Sequence, residues 1–325
     1  VLDILKVTFP FFALVLCGYV AAHRRWMPLQ AIGGLNTFVL YFALPCMLFR
    51  FGASTPVARL FDPAVGAVWL PVSLAMVAGT IAVSLNARIR WNDASFGALV
   101  AAFPNTGFLG VPLLVALLGP AVAGPMIATV LIDMVVISSL CIALSRLDGA
   151  GQGGAALAAR KALKGVAINP LPWSILIGGA MSGLGLQLVR PVDATVGLLA
   201  DAASPVALFT IGAVLARSRL LAASEGQGVR PGRDVWPVIL AKLFVHPLLV
   251  FGVGTAGITL GLPLDPFALV VITLVAALPS ASNVAIVAER FGADTGRIVQ
   301  IIMWTTAAAF LTLSSAVAWL VPARG

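Results

Sequence analysis

The sequence predicts an all-α polytopic membrane protein of ten transmembrane helices, arranged as a 5+5 inverted repeat with broken helices 4 and 9. Composition, ten apolar segments and a one-sided distribution of cations carry that prediction. Of the 325 residues, 60% are hydrophobic and 10% charged, against roughly 45–50% and about 25% in soluble domains. High hydropathy with so little charge also excludes a disordered chain. Apolar stretches of about 20 residues recur along the chain, each long enough to cross a hydrocarbon core about 30 Å thick as a helix.

Runs bounded by charge, Gly or Pro give segments 2–22, 29–49, 63–86, 94–118, 121–145, 166–187, 192–216, 235–260, 266–288 and 296–321. With the first residue outside, the inner loops hold Arg24, Arg25, Arg88, Arg90, Arg146, Arg160, Lys161, Lys164, Arg217, Arg219, Arg230, Arg233, Arg290 and Arg297. The outer side keeps only Arg50, Arg59, Arg190 and Arg324. That bias follows the positive-inside rule and puts a multi-pass chain in the cell (inner) membrane with both termini outside. The net charge of +8 is thereby read as membrane orientation, with membrane lipid rather than nucleic acid as the surrounding partner. Cys17, Cys46 and Cys141 are too few and too scattered for a disulfide or metal framework and read as small core residues. In segment 1 the basic residues His23, Arg24 and Arg25 follow the apolar run, the reverse of a signal peptide.

Residues 146–165 form the longest hydrophilic stretch and separate five segments from five, as a flexible cytoplasmic linker between repeats 1–145 and 166–325. Its Gly-rich run, Gly149–Gly154, has no phosphate-loop pattern. An odd number of crossings per half inverts the second half. Pro45-Cys46-Met47-Leu48-Phe49 in segment 2 echoes Pro205-Val206-Ala207-Leu208-Phe209 in segment 7, and Ala101-Ala102-Phe103-Pro104 in segment 4 echoes Ala276-Ala277-Leu278-Pro279 in segment 9.

Segments 4 and 9 are interrupted at Pro104-Asn105-Thr106-Gly107 and at Pro279-Ser280-Ala281-Ser282-Asn283. By helical rise, Pro104 lies about 15 Å from the start of its segment and Pro279 about 20 Å from Pro266, both near mid-membrane. Each proline frees carbonyls of the preceding turn, and in hydrocarbon those groups need protein, water or ligand. Asn105, Thr106, Ser280, Ser282 and Asn283 supply polar groups at those points, and restarted half-helices present positive dipole ends that attract anions. Matched interruptions in inverted halves point to a secondary transporter's binding site. An ordinary pair of proline kinks repaired by Asn and Ser is the alternative.

An ionisable side chain within the membrane costs about 2.5–3.5 kcal/mol on insertion scales and marks a functional candidate. Asp133 lies about 18 Å into segment 5 and reads as a coupling-ion or proton site, or else as a structural partner of helix 4 or Lys242. Lys242 sits about 10 Å from the inner end of segment 8, within reach of either snorkelling to the surface or pairing with a carboxylate. His246, one turn on, reads as a packed, hydrogen-bonded histidine or a proton relay. Lys6, Asp193, Glu289 and Arg290 fall near segment ends and read as interfacial charges. Gly178, Gly179 and Gly183 permit close helix packing within or between subunits.

At these motifs the chain resembles the auxin efflux carrier family, bacterial type, whose members include malonate transporters. Pro104-Asn105-Thr106-Gly107-Phe108-Leu109-Gly110-Val111-Pro112 looks like its fourth-helix motif, Asn169-Pro170 with Ile177-Gly178 like its sixth-helix start, and Lys242-Leu243-Phe244-Val245-His246-Pro247 like its eighth helix. Pro279-Ser280-Ala281-Ser282-Asn283 with Phe291-Gly292 resembles its ninth. The resemblance implies a ten-helix fold like that of the bile acid sodium symporters, with the broken, crossing helices 4 and 9 at its centre, in which a transport domain of helices 3–5 and 8–10 moves against a scaffold of helices 1, 2, 6 and 7. The long cytoplasmic loop of the plant carriers is missing here, so auxin itself is not implied as the substrate. Asp201, four residues before Pro205, would line the scaffold side of the site or serve as an interfacial or capping residue.

The function expected is secondary active transport of a small organic anion, a malonate-like or auxin-like carboxylate, by alternating access. Substrate binding falls to Asn105, Thr106, Gly107, Ser280, Ser282, Asn283 and Lys242, the helix breaks to Pro104 and Pro279, and ion coupling to Asp133 with Asn105 and Asn283. The coupling ion is H⁺ or Na⁺; no cofactor or other metal is expected, and a homodimer through the scaffold helices is left open. A passive channel or uniporter, or a transporter-like receptor on the same scaffold, is the alternative. With only His23 and His246 and no paired acids in sequence, neither a zinc site nor a protease constellation is present, so an enzyme is not expected.

Overall fold

The computed structural model describes residues 2–54, 62–147, 170–224 and 232–321. Most of the 146–165 linker, together with Arg59, Arg160, Lys161, Lys164, Asn169, Arg230 and Arg324, lies outside the described residues. The described residues are helical throughout: α1 (Leu2–His23), α2 (Ala31–Ser54), α3 (Pro63–Ser84), α4 (Trp91–Ala102), α5 (Thr106–Leu118), α6 (Pro120–Leu144), α7 (Pro170–Gly183), α8 (Arg190–Ser224), α9 (Trp236–Thr259), α10 (Pro266–Ala277), α11 (Val284–Arg290) and α12 (Thr295–Leu320). Within them, Ala31–Ser54, Pro63–Ser84, Pro120–Leu144, Arg190–Arg217, Trp236–Thr259 and Thr295–Leu320 are long and apolar enough to cross a membrane. This is a polytopic membrane protein.

Local chemistry sets the helix boundaries. Asp62 caps α3, its Oδ1 accepting from Ala64 N at 2.8 Å with Pro63 at the first helical position, and Asp265 caps α10 in the same way ahead of Pro266. Asp294 accepts from Arg297 N at 2.9 Å and starts α12. A short acceptor at the N-cap satisfies donors that the first turn leaves free, with a proline following it in the first two cases, so three of the chain's few acids are accounted for as caps. Among the described residues, segment 6 holds the 14 residues of α7, and segment 7 lies within the 35 residues of α8. At 1.5 Å per residue α8 is about 52 Å long, well beyond the hydrocarbon thickness.

Two helix pairs pack backbone to backbone. A Cβ on Gly18 of α1 would fall 1.8 Å from Phe209 O of α8, and one on Gly212 of α8 would fall 1.8 Å from Val15 O of α1. In the second pair, a Cβ on Gly52 of α2 would meet Ile175 O of α7 at 2.5 Å, and one on Gly178 would meet Phe49 O at 2.2 Å. Only glycine fits these contacts, the small-residue packing that joins helices in lipid. Gly178 therefore packs within the subunit. The first echo and both glycine pairs share one spacing: Gly18 and Gly178, Pro45 and Pro205, and Gly52 and Gly212 are each 160 positions apart.

A polar staple closes one end of the bundle. Arg297, only 6% exposed, donates from Nε to Asp234 Oδ2 at 2.9 Å and from Nη1 to Asp93 O at 3.0 Å. Asp93 Oδ1 accepts from Asp294 N at 2.7 Å, and Asn92 Nδ2 donates to Gly292 O at 3.0 Å. The starts of α4, α9 and α12 are thereby tied together. Arg297, one of the cations between segments, is buried here by its pairing with Asp234. Gly97 makes room for it, since a Cβ there would lie 2.6 Å from Nη1. Cys17 also departs from expectation: it is exposed on α1, whereas Cys141 is buried.

Gly212→Leu is expected to remove most of the folded, monodisperse protein in fluorescence-detected size exclusion, because overpacking costs typically about 1–3 kcal/mol even without a backbone clash. Gly34→Ala, where a Cβ would meet nothing within 4 Å, should leave the thermal midpoint unchanged or raise it, helix-interior Ala being favoured over Gly by roughly 1 kcal/mol.

Candidate functional site

Each of the two interrupted segments stops two residues before its proline. Phe103 (φ −100°, ψ 101°) and Leu278 (φ −61°, ψ 153°) are both extended, the conformation that a following proline imposes by steric clash with the helical one. The chain then runs straight for a few residues, and the two straight pieces meet. Pro104 and Ser280 form an antiparallel bridge, with Asn105 N donating to Pro279 O at 2.8 Å and Ala281 N to Phe103 O at 3.0 Å. Backbone groups that the prolines strip of helical partners thus satisfy one another.

Polar side chains crowd this junction. Asn105 and Thr106 are 3% exposed and Ser280 is fully buried; Gly107, Ser282 and Asn283 are half-buried. Among the described residues, Asn105 Nδ2, Thr106 Oγ1 and Ser280 Oγ have no hydrogen-bond partner. Buried polar groups are paired with few exceptions, and each exception calls for an explanation such as an unseen ion or ligand. After the junction α5 opens with a π turn, Thr106–Gly110, in which Leu109 N and Gly110 N both donate to Asn105 O. α11, with seven residues, is too short to carry much of a dipole. Thr305 of α12 accepts from Ser280 N at 3.3 Å.

A second cluster lies beside the junction. Lys242 is fully buried and does not reach the surface; its Nζ donates to Ala276 O at 2.9 Å and lies 3.1 Å from His246 Nδ1. Ala276 is in the last turn of α10, so the ammonium sits at a helix C-terminus, where free carbonyls and the negative dipole end favour a cation. The His246 ring lies 5.3 Å from that of Trp69, centroid to centroid, at 46°. Trp69 Nε1 donates to Asp133 Oδ1 at 2.8 Å, and both residues are buried. The bonded partner of Asp133 is thus an indole on α3. Asp201, with its side chain 78% exposed, pairs with Arg50 of α2 at 3.4 Å.

Trp69, Thr305 and Ala276 O were not singled out from sequence. Three π turns mark the region: Thr106–Gly110, Asp133–Ile137 and Ala241–Val245, each holding one of the polar residues Thr106, Asp133 and Lys242. Such insertions recur at functional sites, and no residue pattern announces them.

Long apolar helices, with two further apolar segments interrupted around buried polar side chains, are the frame of a polytopic membrane protein, and the comparisons with known proteins make it a transport protein. The chain belongs to the family described as "Membrane transport protein", the auxin efflux carrier family, whose profile matches residues 3–153 and 155–317. It is 27% identical over 315 residues, 96% of this chain and 94% of the relative, to a protein of Rhizobium meliloti (strain 1021) named "Putative malonate transporter". It is also 27% identical to an "Uncharacterized transporter" of Escherichia coli (strain K12), with 88% of each chain covered. A third relative, an "Uncharacterized transporter" of Methanothermobacter thermautotrophicus, is 26% identical over 92% of this chain and 93% of its own.

The Trp69–Asp133 bond can be measured by a double-mutant cycle. Trp69→Phe and Asp133→Asn are each expected to lower the thermal midpoint in detergent, and the double variant to lower it by less than their sum, with a coupling of roughly 0.5–3 kcal/mol.

Proposed function

We propose that the protein is a secondary active transporter of a small organic anion, a malonate-like or auxin-like carboxylate, that binds where the two helix breaks pair. The carrying observation is the trio of buried, unpartnered atoms at the junction, Asn105 Nδ2, Thr106 Oγ1 and Ser280 Oγ. A carboxylate can accept from the amide and from both hydroxyls, and the start of the restarted helix Thr106–Leu118 adds a positive dipole end. Gly107, Ser282 and Asn283 complete the lining. Lys242 acts on the substrate through the end of α10, whose last turn its ammonium holds.

The supporting architecture is a ten-crossing 5+5 inverted repeat in the inner membrane, with both termini outside. Under that repeat α1 corresponds to α7 and α2 to α8, so the two glycine-to-backbone pairs are one interface used twice, as their common spacing of 160 positions supports. The helices divide into a scaffold of α1, α2, α7 and α8 and a transport unit of α3–α6 and α9–α12. Every inter-helix hydrogen bond named above lies inside one set or the other. Between them, Leu48, Phe51 and Ile175 face Val115, Met126 and Ile127 across an apolar cleft. Such an apolar interface suits an elevator-type movement, because apolar contacts are non-directional and re-form as the two surfaces slide. Asp133 is the coupling site, taking up H⁺ or helping to hold Na⁺, with Asn105 and Asn283 close to the path.

Asn105→Ala combined with Asn283→Ala should abolish substrate flux in proteoliposomes while preserving the elution profile; unchanged flux overturns the site. Asp133→Asn should uncouple flux from the ion gradient. If flux in that variant still tracks the gradient, Asp133 has no part in coupling.

A further inference from the structure

Four arginines and a histidine gather at one end of the α1–α8 pair. Gly18 lies against Phe209, Gly212 against Val15 and Tyr19, and Ala22 packs with Ala213 and Ala216. Contacts therefore advance together along both helices, which run parallel, and their C-terminal ends converge. There α1 closes on His23, Arg24 and Arg25, all exposed, while α8 carries Arg217 and the exposed Arg219. Tyr19, Met27 and Leu29 cover the small apolar cluster beneath.

The arrangement is built rather than loose. Arg219 Nη1 donates to Tyr19 Oη at 2.7 Å, and the Tyr19 ring stacks on His23 with centroids 5.7 Å apart. Arg25 has φ 58°, the left-handed conformation that non-glycine residues seldom take. It turns the chain back sharply, and Trp26, 78% exposed, follows immediately. Ion pairs between described side chains, Arg50–Asp201 and Arg297–Asp234, lie elsewhere. The opposite situation holds at the starts of α4, α9 and α12, where Asp93, Asp234 and Asp294 accompany Arg297. Arg217 is about 40 Å along α8 from Arg190, beyond the hydrocarbon core and at headgroup depth.

We propose that this end of the α1–α8 pair is a binding site for the headgroup of an anionic phospholipid, with Arg24, Arg25, Arg217 and Arg219 around the phosphate and Trp26 anchoring at the membrane interface. Basic clusters at the cytoplasmic face recognise anionic headgroups, and tryptophan favours the headgroup level. The site rests on the scaffold reading only for its purpose: a lipid held there fixes the pair against which the other helices move.

Native mass spectrometry of the detergent-purified protein tests it without reference to transport or orientation, so a failure here leaves the transport reading standing. With phosphatidylglycerol and phosphatidylcholine supplied together, phosphatidylglycerol adducts should survive collision energies that strip phosphatidylcholine. Arg24→Gln/Arg25→Gln, in an exposed turn, should lower phosphatidylglycerol occupancy, by about fivefold for each arginine removed, with elution and thermal midpoint unchanged in lipid-free detergent. Arg219→Gln should do the same and serves if the turn variant does not fold. Two results overturn the proposal: an equal loss in Arg88→Gln/Arg90→Gln, which would mean undirected charge attraction, or displacement of the lipid by millimolar inorganic phosphate, which would mean a free-anion site.

Discussion

Two strands of unwound backbone, each three residues long, hold the centre of this protein. Phe103–Asn105 and Pro279–Ala281 exchange amide hydrogen bonds at 2.8 and 3.0 Å, and in lipid neither could exist alone. An interrupted helix at membrane depth leaves donors and acceptors that no water reaches, each costing several kcal/mol. Bringing two interruptions together converts two liabilities into one bridge. It also forces the ends of four half-helices, with the polar side chains next to each proline, onto a single point.

The buried lysine belongs to the same economy of backbone groups. Proline at 279 ends α10 and leaves carbonyls in its last turn exposed to the protein interior; Lys242 reaches across from α9 and donates to one of them. An ammonium so placed is stabilised by the dipole of the helix it caps. Its neighbour His246 stacks toward Trp69, which in turn donates to Asp133. Cation and acid, remote in sequence, thus belong to one chain of contacts across α9, α3 and α6, next to the junction. A shift of α10 that changed the Ala276 contact would be felt along it.

How much of this was legible in the residues varies with the physics involved. Pro104 and Pro279 announce the breaks because proline removes a donor and restricts its neighbour wherever it stands. Asn105, Thr106 and Ser280 stand out because polar groups are scarce in apolar segments. Gly18, Gly52, Gly178 and Gly212 were equally visible, and their spacing of 160 positions matches that of the Pro45 and Pro205 echo. Only the close approach of Phe209, Val15, Ile175 and Phe49 carbonyls shows why those glycines are needed. Trp69 could not be singled out, since an apolar aromatic in an apolar helix carries no mark until its indole finds a carboxylate. The partner of Arg297 was not legible, because position along the chain does not reveal the carboxylate of Asp234 in space.

Sequence alone determined that the chain is a helical membrane protein and where its helices break. Those properties follow from side-chain transfer energies and backbone sterics, which act locally and need no partner. Tertiary structure decided which broken ends pair, that Lys242 caps a helix rather than reaching the surface, and that Asp133 bonds to Trp69. It also decided which arginines gather at the end of α1 and α8. These are choices of partner, and a hydrogen bond or ion contact exists only when two groups remote in sequence arrive within about 3 Å of each other in good alignment.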